Sequence, residues 1–257
     1  MKQEDYVKSV IKAFKLLDCI YEQKEPVRLE ELIKMTGFKK ATCHRLLQTL
    51  LSENLIVKKA GTKLYTLGPK LITLGLSALD RFDLHREALP LMNGLRDITG
   101  ESVNLSILDG HEILTIERIR SVHLYNMSIG VGSRLPIYCT SQGKAVLSFL
   151  SQEKQKEILQ KIDLTPMTHK TIRSKTVLRK ELAKIRAQGY AVNREEFEVG
   201  IGAVAAPILS HSGEAVASLN ISFALARHPE PEFISLLVEK VVDSCRQLSF
   251  FLGYVEP

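Results

Sequence analysis

Six side chains that can form hydrogen bonds crowd one short stretch, residues 37–50, which reads GFKKATCHRLLQTL. On a helix they lie on the side opposite four leucines, so one side can join a core while the other stays free. Arginine can fork onto a guanine edge or a phosphate, amides and hydroxyls can bond to bases, and lysines near a helix start suit the DNA backbone. These donors are Lys39, Lys40, Thr42, His44, Arg45 and Gln48, and the leucines are Leu46, Leu47, Leu50 and Leu51.

The segments before this stretch predict two further helices. Residues 7–21 place apolar side chains at helical spacing, as does the run LEELIKMTG at residues 29–37, with a break at residues 26–28. Gly37 can end the second helix because glycine adopts a left-handed conformation without steric cost. The donor-rich helix then runs from about Lys40 to Glu53. The apolar positions are Val10, Ile11, Phe14, Leu17 and Ile20 in the first helix, and Leu29, Leu32 and Ile33 in the second.

A β-hairpin follows these helices. In LIVKKAGTKLYTLG, β-prone residues alternate on both sides of a short loop, residues 60–62, that contains a glycine. Two helices, a third helix after a tight turn and then a hairpin are the order of a winged helix-turn-helix, whose third helix enters the major groove. The hairpin lysines, Lys58, Lys59 and Lys63, suit phosphates as a wing. We therefore expect a head that binds double-stranded operator DNA.

The excess positive charge of the chain is confined to this head. Residues 1–75 hold 14 Lys and Arg against 8 Asp and Glu, whereas the other 182 residues hold 21 of each, so the net charge of +6 belongs to the first third. A basic module joined to a neutral one indicates a polyanion-binding head and a body with another task. The alternatives are a solvated lysine-rich surface and a head that binds protein rather than DNA.

Length and composition are typical of a folded chain with one large or two modest domains, 257 residues with 45% hydrophobic and 25% charged. No apolar signal region or membrane-length run is present, so we expect a cytoplasmic protein without a membrane partner. The four cysteines show no zinc-site spacing and predict free buried thiols. We expect no metal and no cofactor.

A linker helix and a dimer are predicted between head and body. The stretch GPKLITLGLSALDRF is apolar on nearly all sides, and such a short helix must be covered, either by the body or by a second subunit. We favour a second subunit, since many helix-turn-helix proteins read two-fold sites as homodimers. The predicted domains are the head at residues 1–68, the linker at 69–82 and the body at 83–257.

The body alternates strands and helices, which predicts an α+β fold with an antiparallel-rich mixed sheet. ESVNLSILDGHEILTIERI reads as a hairpin that turns at residues 109–110, with Val103, Leu105 and Ile107 on one face. Further predicted strands are HLYNMSI, GYAVN, GAVAAPIL and EAVASLNISFA. Predicted helices are SQGKAVLSFL, SQEKQKEILQKI, residues 175–188 and residues 232–253, the last with a stripe of Ile234, Leu237, Val241, Cys245 and Leu248.

The chain resembles the IclR family of bacterial transcriptional regulators over nearly its whole length. The matching stretches are KATCHRLLQTLLSENLI and YTLGPKLITLG in the head, and ITGESVNLSIL, LPIYCTSQGKAVLSFL and GYAVNREEFEVGIGAVAAPI in the body. The resemblance implies a winged helix-turn-helix head, a GAF-like effector-binding body, and dimers or tetramers built from two dimers. It also implies a ligand pocket between the sheet and the loop before the Gly-Lys-Ala helix, at Ser141, Gln142, Gly143, Asn193, Ala203, Asn220 and Ser222.

Physical chemistry supports part of this pocket. Ser141, Gln142 and Gly143 begin a predicted helix, where free N–H groups attract a carboxylate, and Asn220 and Ser222 project from one face of a strand. Those two polar residues could instead satisfy backbone groups of the core. Family members that bind small keto-acids have aspartate, cysteine and serine at the positions of Asn193, Ala203 and Asn220. We therefore expect a ligand-responsive repressor or activator whose effector is a small metabolite bearing a carboxylate, aromatic or sugar-derived.

An enzymatic body is the alternative to a sensor. Its candidate groups are acids, two histidines and a thiol, but no histidine has a motif-linked nucleophile and no phosphate loop or dinucleotide fingerprint is present. The acids crowd a polar stretch that is typical of a solvated loop. We therefore predict that the chain is not an enzyme. The candidate groups are Glu195, Glu196, Glu198, His111, His123 and Cys139.

Overall fold

Contacts within the chain separate it into two units, Met1–Arg81 and Phe82–Pro257. The computed structural model describes residues 6–23, 25–59, 61–80, 83–122, 129–228 and 230–255. Within those ranges, no helix is long and apolar enough to cross a membrane. All four cysteines are free and buried, which confirms the prediction for the thiols.

The first unit contains three helices, a small sheet and a fourth helix at its end. In chain order the elements are α1 (Lys8–Glu22), β1 (Val27–Arg28), α2 (Leu29–Thr36), α3 (Lys40–Ser52), β2 (Ile56–Lys58), β3 (Leu64–Leu67) and α4 (Pro69–Asp80). The three helices and the hairpin were all predicted. The predicted break between the helices at residues 26–28 is confirmed, and it contains β1, which pairs antiparallel with β3 and gives the sheet order β1-β3-β2.

The core of the first unit joins α1, α2 and α3. Leu16, Leu32 and Leu47 are fully buried there, and Leu17 and Ile20, two apolar positions of the first predicted helix, are buried as well. The first half of α1 continues the predicted apolar face but is exposed, since spacing marks an apolar face and does not show whether the same chain covers it. The exposed fractions are 50% for Val10, 53% for Ile11 and 61% for Phe14.

Nine of the eleven described helices and strands of the second unit that are named below were predicted from the sequence. Its elements are α5 (Asp83–Thr99), β4 (Ser102–Asp109), β5 (Glu112–Ile119), β6 (Arg134–Pro136), α6 (Ser141–Ser148), α7 (Gln152–Lys161), α8 (Lys175–Gln188), β7 (Ala191–Arg194), β8 (Ile201–Leu209), β9 (Ala215–Ala224) and α9 (Pro231–Phe251). The two that were not predicted are α5 and β6. The predicted strand HLYNMSI falls almost wholly on residues 123–128, outside the described residues.

Six strands form the sheet of the second unit in the order β6-β5-β4-β9-β8-β7. Every described strand pair is antiparallel, so the sheet is antiparallel throughout rather than mixed. The hairpin between β4 and β5 turns at Gly110 as predicted.

Side chains alternate between the two faces of this sheet. On β4, Val103 and Leu105 point to one face and are fully buried, while α5 contacts β4 and α9 contacts β8 and β9. On the other face lie α6, which contacts β8 and β9, and α8, which contacts α6. That second face carries the polar residues of β4, such as Asn104. The sheet therefore brings polar side chains from distant strands next to the start of α6.

Candidate functional sites

The α3 helix has the two-sided character that its sequence predicts. Leu47 and Leu50 are buried in the core, together with Cys43, whose thiol lies 3.8 Å from the hydroxyl of Thr36. Gly37 begins the turn before α3 in a left-handed conformation, φ 70°, which glycine adopts without strain. Of the predicted DNA contacts on this helix, Thr42 is half-buried and the others are exposed, namely Lys39, Lys40, His44, Arg45 and Gln48.

A groove of about 630 Å³ runs between α1 and α3. Thr42, His44, Arg45 and Gln48 line it, so the structure brings four of the predicted residues to one concave surface. Lys12 of α1 lines the same groove and was not predicted. Its sequence position gave no signal, because only the packing of α1 on α3 brings it there.

The three lysines of the hairpin are all exposed. The turn is held by Thr62, whose N–H and hydroxyl both donate to the carbonyl of Lys59, at 3.1 Å and 2.8 Å. The N–H of Leu64 in turn donates to the hydroxyl of Thr62 at 3.2 Å. A turn fixed in this way projects Lys58, Lys59 and Lys63 from a defined position. The start of α3 and the hairpin thus each expose lysines of the first unit.

In the second unit, six of the seven predicted effector positions line one small cavity of about 30 Å³. The cavity lies between the start of α6, the polar face of the sheet and the loop that follows β7. Asn104 was not identified as a lining residue from the sequence. The alternation of polar residues along β4 could have indicated it. The lining comprises Asn104, Ile129, Leu135, Thr140, Ser141, Gln142, Asn193, Phe197, Glu198, Ile201, Ala203, Asn220 and Ser222.

Gly143 was predicted to line this cavity, but it does not. It packs against the preceding segment so closely that a Cβ atom would lie 2.3 Å from the carbonyl oxygen of Ile137. Its N–H is also taken, since it donates to the side-chain oxygen of Thr140 at 3.3 Å. Glycine is required at this position for close packing. The N–H groups of Ser141 and Gln142 remain, and neither has an acceptor among the described residues.

A chain of amides and hydroxyls forms the floor of the cavity. Asn104 and Asn220 lie directly opposite each other on β4 and β9, and the amide of Asn104 donates to the side-chain oxygen of Asn220 at 2.9 Å. Asn220 lies 3.5 Å from the hydroxyl of Ser141, which lies 3.4 Å from the side-chain oxygen of Gln142. The floor is therefore connected to the start of α6.

Two polar atoms at this floor have no hydrogen-bond partner within the described part of the chain. They are the side-chain oxygen of Asn104 and the hydroxyl of Ser222, on residues that are 3% and 7% exposed. A buried polar group without a partner costs free energy, about 1–3 kcal/mol each. A polar ligand in the cavity would supply the missing partners.

Asn193 is engaged by the protein itself. Its amide donates to the carbonyl of Cys139 at 2.5 Å, and its side-chain oxygen accepts from the N–H of Glu196 at 3.1 Å. The side chain thereby ties the loop after β7 to the segment before α6. Although Asn193 lines the cavity, both polar atoms of its side chain are therefore used in bonds to the backbone.

Arg118 lies on β5 directly opposite Asn104, the lining residue on β4. Its guanidinium donates to the carbonyl of Ile129 at 2.7 Å and lies 3.4 Å from the hydroxyl of Ser102. Burial lowers the pKa of Arg118, and the neighbouring Arg120 lowers it further. Arg118 holds the backbone of Ile129, which lines the cavity, but does not line the cavity itself.

The candidate catalytic groups do not assemble into a reactive site. Burial raises the pKa of Cys139 to about 12, so the thiol is not a ready nucleophile. Glu195 is bonded to Lys170, which lowers the pKa of its carboxyl group. The second histidine, His123, lies outside the described residues. Across the described ranges, no group of three or more histidine, cysteine, aspartate or glutamate side chains could hold a metal ion.

A larger groove of about 460 Å³ lies elsewhere in the second unit, between the end of α8, β8 and α9. Two of the unpartnered buried atoms, on Asn104 and Ser222, belong to the smaller cavity, whereas the described lining of the larger groove carries none. We place the candidate ligand site in the smaller cavity, because unsatisfied buried polar groups indicate a partner more directly than volume does.

Comparison with known proteins gives matches to both units. The family model of the IclR helix-turn-helix domain matches residues 9–60, and that of the bacterial transcriptional regulator IclR C-terminal domain matches residues 76–250. The HTH-type transcriptional regulator KdgR of Escherichia coli is 33% identical over 253 residues, 98% of this chain and 95% of its own.

Solved structures agree with these matches. The crystal structure of the Thermotoga maritima IclR protein covers 97% of this chain and 100% of its own, with 32% identity and a TM-score of 0.78. An IclR homolog from Microbacterium hydrocarbonoxydans, complexed with 4-hydroxybenzoate, covers 96% of this chain and 99% of its own. Its TM-score is 0.84 at 22% identity, so this likeness concerns the fold alone.

Proposed function

The chain belongs to the IclR family of transcriptional regulators, and from this premise we propose that it binds operator DNA and responds to a small carboxylate-bearing metabolite. It is a regulator rather than an enzyme, as its named relatives are. DNA binding would be the task of the first unit and ligand binding that of the second. The cytoplasm, where bacterial DNA lies, is its proposed location.

One observation carries the DNA-binding part of the proposal. A single face of α3 exposes Arg45, His44 and Gln48, while its opposite face is sealed in the core by Leu47 and Leu50. A recognition helix needs this arrangement, since one side must seat the helix and the other must enter the major groove. Arg45 is proposed to contact a guanine edge or a phosphate.

The remaining cations are proposed to contact the DNA backbone. Lys39 and Lys40 stand at the start of α3, and the three hairpin lysines are exposed at the wing, so all five can reach phosphates on either side of the groove. Lys12 is added to this set because it lines the groove beside α3.

The effector part of the proposal rests on the cavity beside α6. The N–H groups of Ser141 and Gln142 can bind a carboxylate at the helix start, and Asn220 and Ser222 offer further polar contacts. Gly143 supports this site through packing rather than by touching the ligand. Asn193 and Ala203 would border the ligand.

A homodimer, or a tetramer built from two dimers, is proposed as the active form. The α4 helix exposes Ile72 by 65%, Leu74 by 53% and Leu76 by 56%, which is more apolar surface than a short helix normally presents to water. A second subunit that covers α4 would place two copies of α3 on the two halves of a symmetric site. Effector binding would then change how the two copies fit their half-sites.

A DNA selection experiment tests the proposal. Purified full-length protein is mixed with fragments of the source genome at physiological salt, and bound fragments are sequenced. We expect enrichment of a two-fold symmetric site. Affinity for that site should fall with salt at a log–log slope of about −0.9 per neutralised phosphate. A protein-binding head would give no enriched site and no such slope.

Wing variants supply the internal control. Replacing Lys59 and Lys63 by alanine should weaken binding to all sequences alike and reduce the slope by about one for each phosphate that is no longer neutralised. The same substitutions at Lys154 and Lys161 of α7, which are exposed lysines in the second unit, should leave the slope unchanged.

A further inference from the structure

We infer that α1 carries a phosphate-binding site of its own, formed by Lys12 and Lys15 and positioned by the aromatic ring of Phe38. The first unit would then hold DNA through three elements, α1 in addition to the recognition helix and the wing. This inference rests on the proposed function, because it names a further contact with the same partner. Lys15 and Phe38 are new to the set of proposed DNA-binding residues.

The ammonium groups of both lysines lie against one aromatic ring. The Nζ atom of Lys12 and the Nζ atom of Lys15 are each 5.7 Å from the centroid of the Phe38 ring. At such a distance an ammonium group is attracted by the electron-rich face of the ring. The ring therefore gathers two positive charges from consecutive turns of α1.

No described carboxylate neutralises these two charges. Among the described residues of the first unit, the one ion pair joins Lys70 to Glu53, so neither lysine of α1 has an acidic partner there. Several exposed lysines of the second unit differ, because each of them pairs with a glutamate. These are Lys154, Lys161 and Lys170. Two like charges that are held close together without a counter-charge repel each other and attract an anion.

The ring of Phe38 is itself held in place. Phe38 is half-buried and packs against the core that joins α1, α2 and α3. Its N–H donates to the hydroxyl of Thr36 at 3.3 Å, in the turn that contains Gly37 and leads into α3. A fixed ring restricts the two long lysine side chains, so they lose less conformational freedom when a phosphate binds. Phe38 is therefore a positioning residue.

The two lysines lie beside the surface of α3 that is proposed to enter the major groove. Lys12 lines the groove between α1 and α3 together with Arg45 and Gln48. Lys39 follows Phe38 directly in the chain and is exposed at the start of α3. A phosphate next to the bases that α3 contacts can thus meet cations of both helices. The backbone of DNA fits this arrangement, because one polyanion contacts α1, α3 and the wing at once.

Salt-dependent DNA binding by the full-length protein tests the inference. The probe is a short duplex of random sequence, because nonspecific affinity arises almost wholly from phosphate contacts. We expect the double variant Lys12→Gln, Lys15→Gln to reduce the log–log salt slope by about 0.9 if the two lysines bind one phosphate, and by about 1.8 if they bind two.

The double variant Lys180→Gln, Lys184→Gln is the matched control. It removes the same net charge from two exposed lysines of α8 in the second unit and should leave the slope unchanged. All four replaced side chains are exposed, so both variants should fold. A slope that the α1 variant leaves unchanged, or an equal reduction in the control, would overturn the inference.

The role of Phe38 is tested with and without the two lysines. Phe38→Leu keeps an apolar side chain but removes the aromatic face, and it should weaken binding of the random duplex by about threefold or more. The same change should have no effect once Lys12 and Lys15 are glutamine, because the ring then has no cation to hold. Phe38→Tyr keeps the ring and should preserve the affinity. Phe38→Met replaces Phe38→Leu if the latter does not fold.

Equal losses from Phe38→Leu in the two backgrounds would mean that Phe38 only supports the fold, and its positioning role would be overturned. The measurements also separate this inference from the proposed function. If the unaltered protein binds both the selected operator and the random duplex, an unchanged slope in the α1 variant refutes the α1 site alone. If the unaltered protein binds neither DNA, the DNA-binding role and the α1 site are refuted together.

Discussion

The ammonium group of Lys144 and the carboxylate of Glu196 form an ion pair in the interior of the second unit. Lys144 has no exposed surface, and Glu196 is 9% exposed. One carboxylate oxygen of Glu196 has no partner in the part of the chain that the structure describes. The pair joins α6 to the loop after β7, and these are the two segments that enclose the cavity.

Breaking this pair from one side should be costly. Lys144→Met leaves Glu196 buried without a counter-charge and should lower the free energy of unfolding by about 3–5 kcal/mol. The double variant Lys144→Met, Glu196→Gln should recover most of that loss, since neither charge remains. Urea denaturation of both variants measures the two values. Equal losses in the single and double variants would show that the charge left behind is not the cause.

The free energy of unfolding should depend on pH through the ionisation of Glu196. Burial raises the pKa of this carboxyl group, and that effect exceeds the attraction of Lys144; Glu181, whose carboxylate lies 4.0 Å from the Lys144 ammonium, raises it further. The native state therefore holds the proton more tightly than the unfolded chain does. The stability that protonated Glu196 contributes is therefore fully present at pH values below its ordinary pKa of 4.5. It is lost as the pH rises through the raised pKa of the native state.

Glu196→Gln removes this pH dependence. Relative to the unaltered protein, the variant should gain stability as pH rises above about 4.5, because only the unaltered protein must ionise a buried acid. Thermal unfolding at several pH values measures the difference. A difference that stays constant or shrinks with pH would contradict the raised pKa.

Asn193→Asp should destabilise the second unit. The amide of Asn193 donates to the carbonyl of Cys139, and an aspartate would face that oxygen without a proton to donate. We expect a loss of about 1–3 kcal/mol. Ser222→Ala is the matched control, because its hydroxyl has no partner among the described residues, and it should cost little. Denaturant titration compares the two, and equal effects would refute the structural role of Asn193.

The thiol of Cys139 should be unreactive in the native protein. Burial raises its pKa to about 12, so only about one molecule in ten thousand carries a thiolate at pH 8. Mass spectrometry after iodoacetamide treatment should find Cys139 unmodified in the native state and modified in guanidinium. Rapid native labelling would mean that the segment before α6 opens far more often than this packing implies.

Amphipathic helices were the most predictable elements. The bounds of α8 and the buried face of α3 follow from apolar spacing together with a glycine or a polar segment at each end. The α5 helix was missed, since Pro90 lies inside it and tertiary packing outweighs that local preference. The strand β6 has three residues, too few to show alternation.

The candidate site was predictable only in part. Sequence alone cannot show that Asn104 meets Asn220, 116 residues away, because that contact depends on strand order. The burial of Lys144 could not be predicted from the sequence either, since lysine is normally a surface residue. The same limit explains α1, where Val10 and Phe14 share an apolar face that the unit itself does not cover.

The central claim, that the exposed face of α3 reads operator DNA, is tested most directly by the affinity of Arg45→Ala. Fluorescence anisotropy would compare this variant with the unaltered protein on the selected site and on unrelated DNA at one salt concentration. We predict a loss of about 1–3 kcal/mol on the selected site and a clearly smaller loss on unrelated DNA. Unchanged affinity for the selected site would contradict the assignment of α3 as the recognition helix.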